Sequence, residues 1–154
     1  MRKSAIDLRI TNYILNKEYR LDPIMKFMRF EHFAINVKDA RAVASWYVKT
    51  LGLVIKRQMT DAPYITFLAD PDGNMMFEFY QQDVPVADLA AIAPFSLHMA
   101  FAVDDIVGTR AKWIAGGGTA EGEITTTAAG DQLAFVRDPW GFTLQLVKRV
   151  TPML

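Results

Sequence analysis

The sequence predicts an α+β domain of two tandem βαβββ units, forming a cupped mixed β-sheet with helices on its outer face. Two observations carry this expectation. The chain repeats itself: His32-Phe33-Ala34-Ile35-Asn36-Val37-Lys38-Asp39 is matched by His98-Met99-Ala100-Phe101-Ala102-Val103-Asp104-Asp105, at an offset of 98 − 32 = 66. A second block, Thr66-Phe67-Leu68-Ala69-Asp70-Pro71-Asp72-Gly73, matches Ala134-Phe135-Val136-Arg137-Asp138-Pro139-Trp140-Gly141 at an offset of 134 − 66 = 68. Duplication of a segment too short to bury its own apolar face points to two half-domains sharing one body.

The elements follow in order. Residues 1–28 lie outside the duplication. Ser4 to Asp7 resembles a capping box, Ile6, Ile10, Tyr13 and Ile14 keep helical spacing, and Pro23 marks a stop, so a short amphipathic helix is expected. An incidental extension ahead of a start at Met25 or Met28 is the alternative. In the first repeat, 29–81, residues 30–37 alternate as a strand and Asp39 caps a helix over 40–50, with Val43, Trp46, Tyr47 and Leu51 on one stripe. Gly52 ends that helix. Strands are expected over 53–60, 64–69 and 75–81, with Asp70-Pro71-Asp72-Gly73 as the turn before the last. Residues 82–94 hold two prolines and an alanine-rich stretch and form a linker with one helical turn. In the second repeat, 95–149, a strand over 96–103 leads to a helix capped by Asp104 or Asp105 and running to Ala115. Gly116-Gly117-Gly118 ends it, and strands follow over 121–127, 132–137 and 142–148. Residues 150–154 are a tail.

Composition narrows the function. The 154 residues include 17 basic and 17 acidic side chains, so the formal charge is zero and nucleic acid or an anionic membrane is not the expected partner. Cysteine is absent, which excludes disulfides, thiolate metal sites and cysteine nucleophiles. No apolar run approaches membrane-spanning length and there is no signal-peptide core, so a cytoplasmic protein is expected.

Side chains alternate across a strand, and parity decides which groups meet. The bulky apolar set, Phe33, Ile35 and Val37 with Met99, Phe101 and Val103, is expected to pack on the helices. His32 and His98, the only two histidines, then point to the open face beside small alanines. Glu78 shares its face with Met76 and Tyr80, opposite Phe77 and Phe79. Gln145 shares its face with Thr143 and Val147, opposite Leu144 and Leu146. Glu78 lies five residues after Gly73 and Gln145 four after Gly141, a mismatch that a bulge or longer turn would absorb. Two histidines, a carboxylate and an amide placed by a duplicated unit point to a metal site between the half-domains. The two Asp-Pro-x-Gly segments are expected to be turns without chemistry, and Arg137 and Trp140, which flank the second, to be surface residues, with contact to substrate as the alternative. Trp46, Tyr47 and Trp113 are expected in the core. The alternative to a metal is a site whose polar groups bind a ligand by hydrogen bonds alone.

These residues resemble the vicinal oxygen chelate superfamily, which contains glyoxalase I, methylmalonyl-CoA epimerase, extradiol dioxygenases, fosfomycin-resistance enzymes and bleomycin-resistance proteins. The resemblance covers about 29–149 and rests on the duplicated βαβββ pattern, a histidine on each first strand and the Asp-Pro-x-Gly turn before each last strand. It implies a glyoxalase-like fold, a homodimer, and metal ligands from the first and last strands of each repeat: His32, Glu78, His98 and Gln145. Imidazole and carboxylate donors suit a divalent zinc, nickel, iron, cobalt or manganese ion. Glu78 is the one carboxylate among the four and so the candidate general base. Asn36, Met76, Tyr80 and Thr143 are the candidate substrate contacts. The expected activity is isomerase, epimerase or lyase chemistry on a small substrate chelated through vicinal oxygens. A ring-cleaving Fe(II) dioxygenase using His32, His98 and Glu78, or a non-catalytic binding or resistance protein, are the alternatives. The chain departs from glyoxalase I in keeping one acid of two and in placing Asn36 and Gln82 where that enzyme holds glutathione. It departs from methylmalonyl-CoA epimerase in exchanging the strand positions of Glu78 and Gln145.

Overall fold

A computed structural model describes residues 29–153. The chain divides into two compact bodies, Met1–Glu31 and His32–Leu154, and the second carries all the regular structure described. The helix expected within 1–28 lies outside the described residues.

The first repeat runs β1 (His32–Asn36), α1 (Ala40–Trp46), β2 (Val54–Gln58), β3 (Thr66–Ala69) and β4 (Met76–Tyr80). The second runs β5 (Met99–Ala102), α2 (Ile106–Ala115), β6 (Thr119–Thr126), β7 (Gln132–Arg137) and β8 (Thr143–Lys148). Each repeat closes a four-stranded mixed sheet of the same order, β1-β4-β3-β2 and β5-β8-β7-β6. The first strand pairs parallel with the last in both. This is the expected α+β architecture of two βαβββ units. The expected helical turn in the linker is a short 3-10 turn, Leu89–Ala91.

Local chemistry accounts for the helix ends. The Asp39 carboxylate accepts from the N–H groups of Arg41 and Ala42 at 3.1 and 3.0 Å. Asp105 accepts from Gly108 N–H at 3.0 Å, and a Cβ on residue 108 would fall 2.2 Å from that carboxylate. The helix expected over 40–50 is α-helical only to Trp46 and then widens into a π-helical turn, Tyr47–Leu51, which puts Tyr47 and Thr50 on the buried side. Gly52 ends it at φ +82°.

The apolar faces of both sheets share one core. Phe77, Phe79 and Leu68 from the first repeat and Leu144, Leu146 and Val136 from the second belong to a single buried cluster. Phe77 and Phe101 meet across the repeats at 6.2 Å between ring centroids, and Trp46 packs edge-on to Trp140 at 6.3 Å. The Trp46 indole N–H donates to the Gly116 carbonyl at 2.7 Å, and the Tyr47 hydroxyl donates to Asp138 Oδ2 at 2.8 Å. Phe33, expected on the helices, is instead 37% exposed, near the start of the edge strand β1.

Both Asp-Pro-x-Gly segments are turns, with glycine at φ +75° (Gly73) and +89° (Gly141). The extra residue of the first repeat sits in its turn, where Asn74 N–H donates to Asp70 Oδ1 at 2.8 Å; the β1–β4 and β3–β4 registers run unbroken. Glu78 therefore stands opposite Ala34, and Gln145 opposite Ala100. Since Ala34 and Ala100 are themselves repeat equivalents, so are Glu78 and Gln145.

Candidate functional site

Parity and register build the same constellation twice. In the first repeat one row across the sheet reads Ala34, Glu78, Phe67. In the second it reads Ala100, Gln145, Phe135. Each histidine stands edge-on to the phenylalanine of its own row, His32 on Phe67 and His98 on Phe135, both at 5.5 Å. The sequence placed both phenylalanines inside the second repeated block; their parity with Glu78 and Gln145 was the available signal that they share the site face.

In the first repeat the histidine and the acid meet. His32 Nε2 lies 3.3 Å from Glu78 Oε2, with the two side chains 34% and 15% exposed. Two donor atoms each ~2.1 Å from one metal ion at an angle of about 90–110° stand ~3.0–3.4 Å apart, so the pair has the spacing of neighbouring ligands. In the second repeat His98 Nδ1 lies 2.7 Å from the Pro94 carbonyl oxygen. A carbonyl only accepts, so Nδ1 carries the proton and Nε2 of the neutral ring keeps its lone pair. A backbone carbonyl orienting the far nitrogen is the usual support of a ligating imidazole. Gln145, next to this corner, is buried.

The two halves do not converge within one chain. Among the described residues no group of three or more histidine, aspartate or glutamate side chains is close enough to hold a metal ion. The shared core is the physical reason: the sheets meet through their helix-side faces, so His32 with Glu78 and His98 with Gln145 lie on the opposite faces of their own sheets, in two separate pairs.

The four candidate substrate contacts divide. Met76 and Tyr80 are half-buried on the Glu78 face, as expected. The Asn36 amide donates to the carbonyls of Gln82 and Val84 at 3.3 and 3.1 Å and accepts from Gln82 N–H at 2.8 Å, tying the linker to β1. Thr143 is 1% exposed beside its strand partner Arg137. Arg137, expected at the surface, is an internal clamp. Its Nε donates to Glu121 at 2.6 Å, and its terminal nitrogens donate to the carbonyls of Leu89, Gly141 and Ile92 at 3.3, 2.9 and 3.1 Å. With Phe95 packed on Phe135 at 5.2 Å, these bonds hold the linker over one end of the second site face. Phe95 itself is 84% exposed.

Asp138, the first residue of the second turn, is structural. Its Oδ1 accepts from the N–H groups of Trp140 and Phe142, both at 2.9 Å, and its Oδ2 from Tyr47. Burial pushes the Asp138 carboxyl above the usual carboxylate range in spite of these donors. Burial first, and then the neighbouring Asp138 charge, hold the Tyr47 phenol well above its usual range.

Among the described residues no helix is long and apolar enough to cross a membrane. The family model described as the Glyoxalase/Bleomycin resistance protein/Dioxygenase superfamily matches residues 29–146. No curated protein matches. Among solved structures, a glyoxalase family protein from Bacillus cereus is similar with a TM-score of 0.68 at 17% identity, over 80% of this chain and 95% of that one. A glyoxalase I mutant from Zea mays gives a TM-score of 0.65 at 25% identity, over 80% of this chain and 46% of that one. An antibiotic binding protein from a Streptomyces species gives 0.62 at 17% identity, over 80% and 98%. The duplicated sheet order, the two equivalent rows and a family match spanning both repeats lead to one assignment: this chain belongs to the Glyoxalase/Bleomycin resistance protein/Dioxygenase superfamily.

Proposed function

We propose that the protein is a divalent-metal-dependent, glyoxalase-like enzyme acting on a small substrate chelated through vicinal oxygens, with proton transfer at Glu78. The supporting observation is the register equivalence of Glu78 and Gln145, each on the face of its own histidine. His32, Glu78, His98 and Gln145 would hold the ion, with zinc, nickel, iron, cobalt or manganese suited to such donors. When bound, the metal supplies Lewis-acid stabilisation of negative charge developing on the substrate oxygens. Glu78 turns Oε2 toward His32 and leaves Oε1 to take a proton from the substrate carbon and return it. His98, its Nδ1–H held by Pro94, presents Nε2 in one tautomer. Met76 and Tyr80 flank Glu78 and would line the substrate pocket.

Because the two pairs lie apart, on sheet faces opposite the shared core, the proposed site is completed in a homodimer, with the His32–Glu78 face of one copy set against the His98–Gln145 face of another. Elemental analysis of purified protein tests this reading. A divalent metal bound in stoichiometric amount, and lost in His98→Ala with the fold retained, is expected; full metal content in that variant would refute the ligand assignment. Turnover that needs ferrous iron and oxygen would assign the dioxygenase alternative.

One observation favours a second reading, a non-catalytic protein that binds a small molecule. The exposed Phe95 ring, packed on Phe135 beside His98, offers a planar surface that needs no metal. Stoichiometric ligand binding by metal-free protein, with no turnover in any metal, would establish it.

A further inference from the structure

The two repeats differ where their first strands end, and the difference opens a cavity. In the first repeat Asn36 ties the segment that follows β4 to the sheet through Gln82 and Val84. Its equivalent in the second repeat is Ala102, at 36 + 66 = 102, which has no amide to offer. The segment following β8 is held elsewhere: Asp131 accepts from Arg149 at 2.7 Å and from Val150 N–H at 2.9 Å. These two bonds are also what hold the Asp131 carboxyl below its usual range, the Val150 N–H contributing most. Between sheet and segment lies a cavity of about 590 Å³. Ala100, Ala102 and Val147 line it from the sheet, on the same strand faces as His98 and Gln145. Pro152 and Met153 line it from the segment, and Val103, Asp104, Lys148 and Arg149 complete the lining. Ala100 is the direct strand partner of Gln145, so the cavity begins next to the proposed ligand row.

We propose that this cavity takes the uncharged apolar body of the ligand, an acyl chain or an aromatic ring, and that residues 150–153, pinned by Asp131, are its outer wall. The inference rests on the site reading above for which end of the ligand carries oxygen. The apolar part of the lining, Ala100, Ala102, Val147, Pro152 and Met153, does not depend on a metal. In the first repeat the Asn36 amide stands where Ala102 stands in the second and is bonded to the segment that follows β4, so reading the ligand's carbon skeleton is assigned to the second repeat.

The test uses the full chain stripped of metal by a chelator, with the neutral fluorophore N-phenyl-1-naphthylamine as probe. Wild type is expected to bind it saturably. Ala102→Asn, which restores the first-repeat residue, should weaken binding about tenfold, the loss of roughly 50 Å² of apolar contact. Met153→Asp, at an exposed position that does not threaten the fold, should weaken it similarly. Asp131→Asn should weaken it less, by releasing the wall without filling the space. Wild-type affinity in both Ala102→Asn and Met153→Asp would overturn the proposal. Metal uptake without any probe binding would overturn it while leaving the metal site standing. Probe binding that depends on Ala102, in a protein that never takes up metal, would support it and remove the metal.

Discussion

Tyr47→Phe removes one oxygen atom and tests how the repeats are joined. The Tyr47 hydroxyl donates to Asp138 Oδ2 at 2.8 Å in the core, where the tyrosine is fully buried and the aspartate nearly so. A hydrogen bond to a charged group is worth about 1.5–3 kcal/mol net. Asp138 keeps its two N–H donors on Oδ1, so the cost is set near 2 kcal/mol, equivalent to about 4–8 °C in Tm for a chain of this size. The pH dependence has a definite sign. Asp138 has a raised pKa in the folded state, so between its ordinary and its raised value the folded chain binds more protons than the unfolded one. Its contribution to stability therefore falls as pH rises through that window. Removing the phenol donor raises this carboxyl further, so the deficit of the variant should be largest above the window and shrink below it, where Asp138 is protonated in both proteins. Urea unfolding of both proteins from acidic to mildly alkaline pH measures this. A deficit below about 0.5 kcal/mol at every pH would refute the argument that this bond links the repeats.

Three further predictions concern the turn, the linker and the site. Gly141→Ala places a Cβ 2.6 Å from that of Ala90 at a φ of +89°, and should cost about 2 kcal/mol or more by thermal unfolding. Arg137→Met leaves the Leu89, Ile92 and Gly141 carbonyls without their donor, and should cost about 2–3 kcal/mol while speeding proteolysis within 82–94. Glu78→Gln should retain part of the bound metal yet lower turnover about a hundredfold or more; unchanged activity would dismiss Glu78 as the base.

The fold was legible because duplication repeats its punctuation. Asp39 and Asp105 cap helices in both copies, and the parity of Phe77, Phe79, Leu144 and Leu146 marks the buried faces. Sequence spacing does not show the π-helical turn at Tyr47–Leu51, because its widening serves contacts with Asp138 and Gly116 that lie far along the chain. Nor does it show the register shifts between Ile55 and Arg57 and between Glu121 and Thr125. Sequence reading puts Arg137 at the surface because three of its four partners are backbone carbonyls, which carry no sequence signal. Asn36 shared the right strand face, but its amide was already committed to the linker backbone. Parity assigns a residue to one face of its own sheet and is silent on which faces of two sheets meet. For that reason the candidate ligands could be named from the sequence, while their separation into two pairs could not.

The central claim is that the His32–Glu78 face and the His98–Gln145 face build one metal site between copies of the chain, and mixing variants tests it most directly. His32→Ala and His98→Ala should each be metal-free when purified alone. After unfolding and refolding together, mixed dimers pair one intact first-repeat face with one intact second-repeat face, and about a quarter of all sites should regain metal. A mixture as empty as its parents, beside a wild type that holds stoichiometric metal, would contradict the shared site; a wild type that holds none would contradict the metal centre itself.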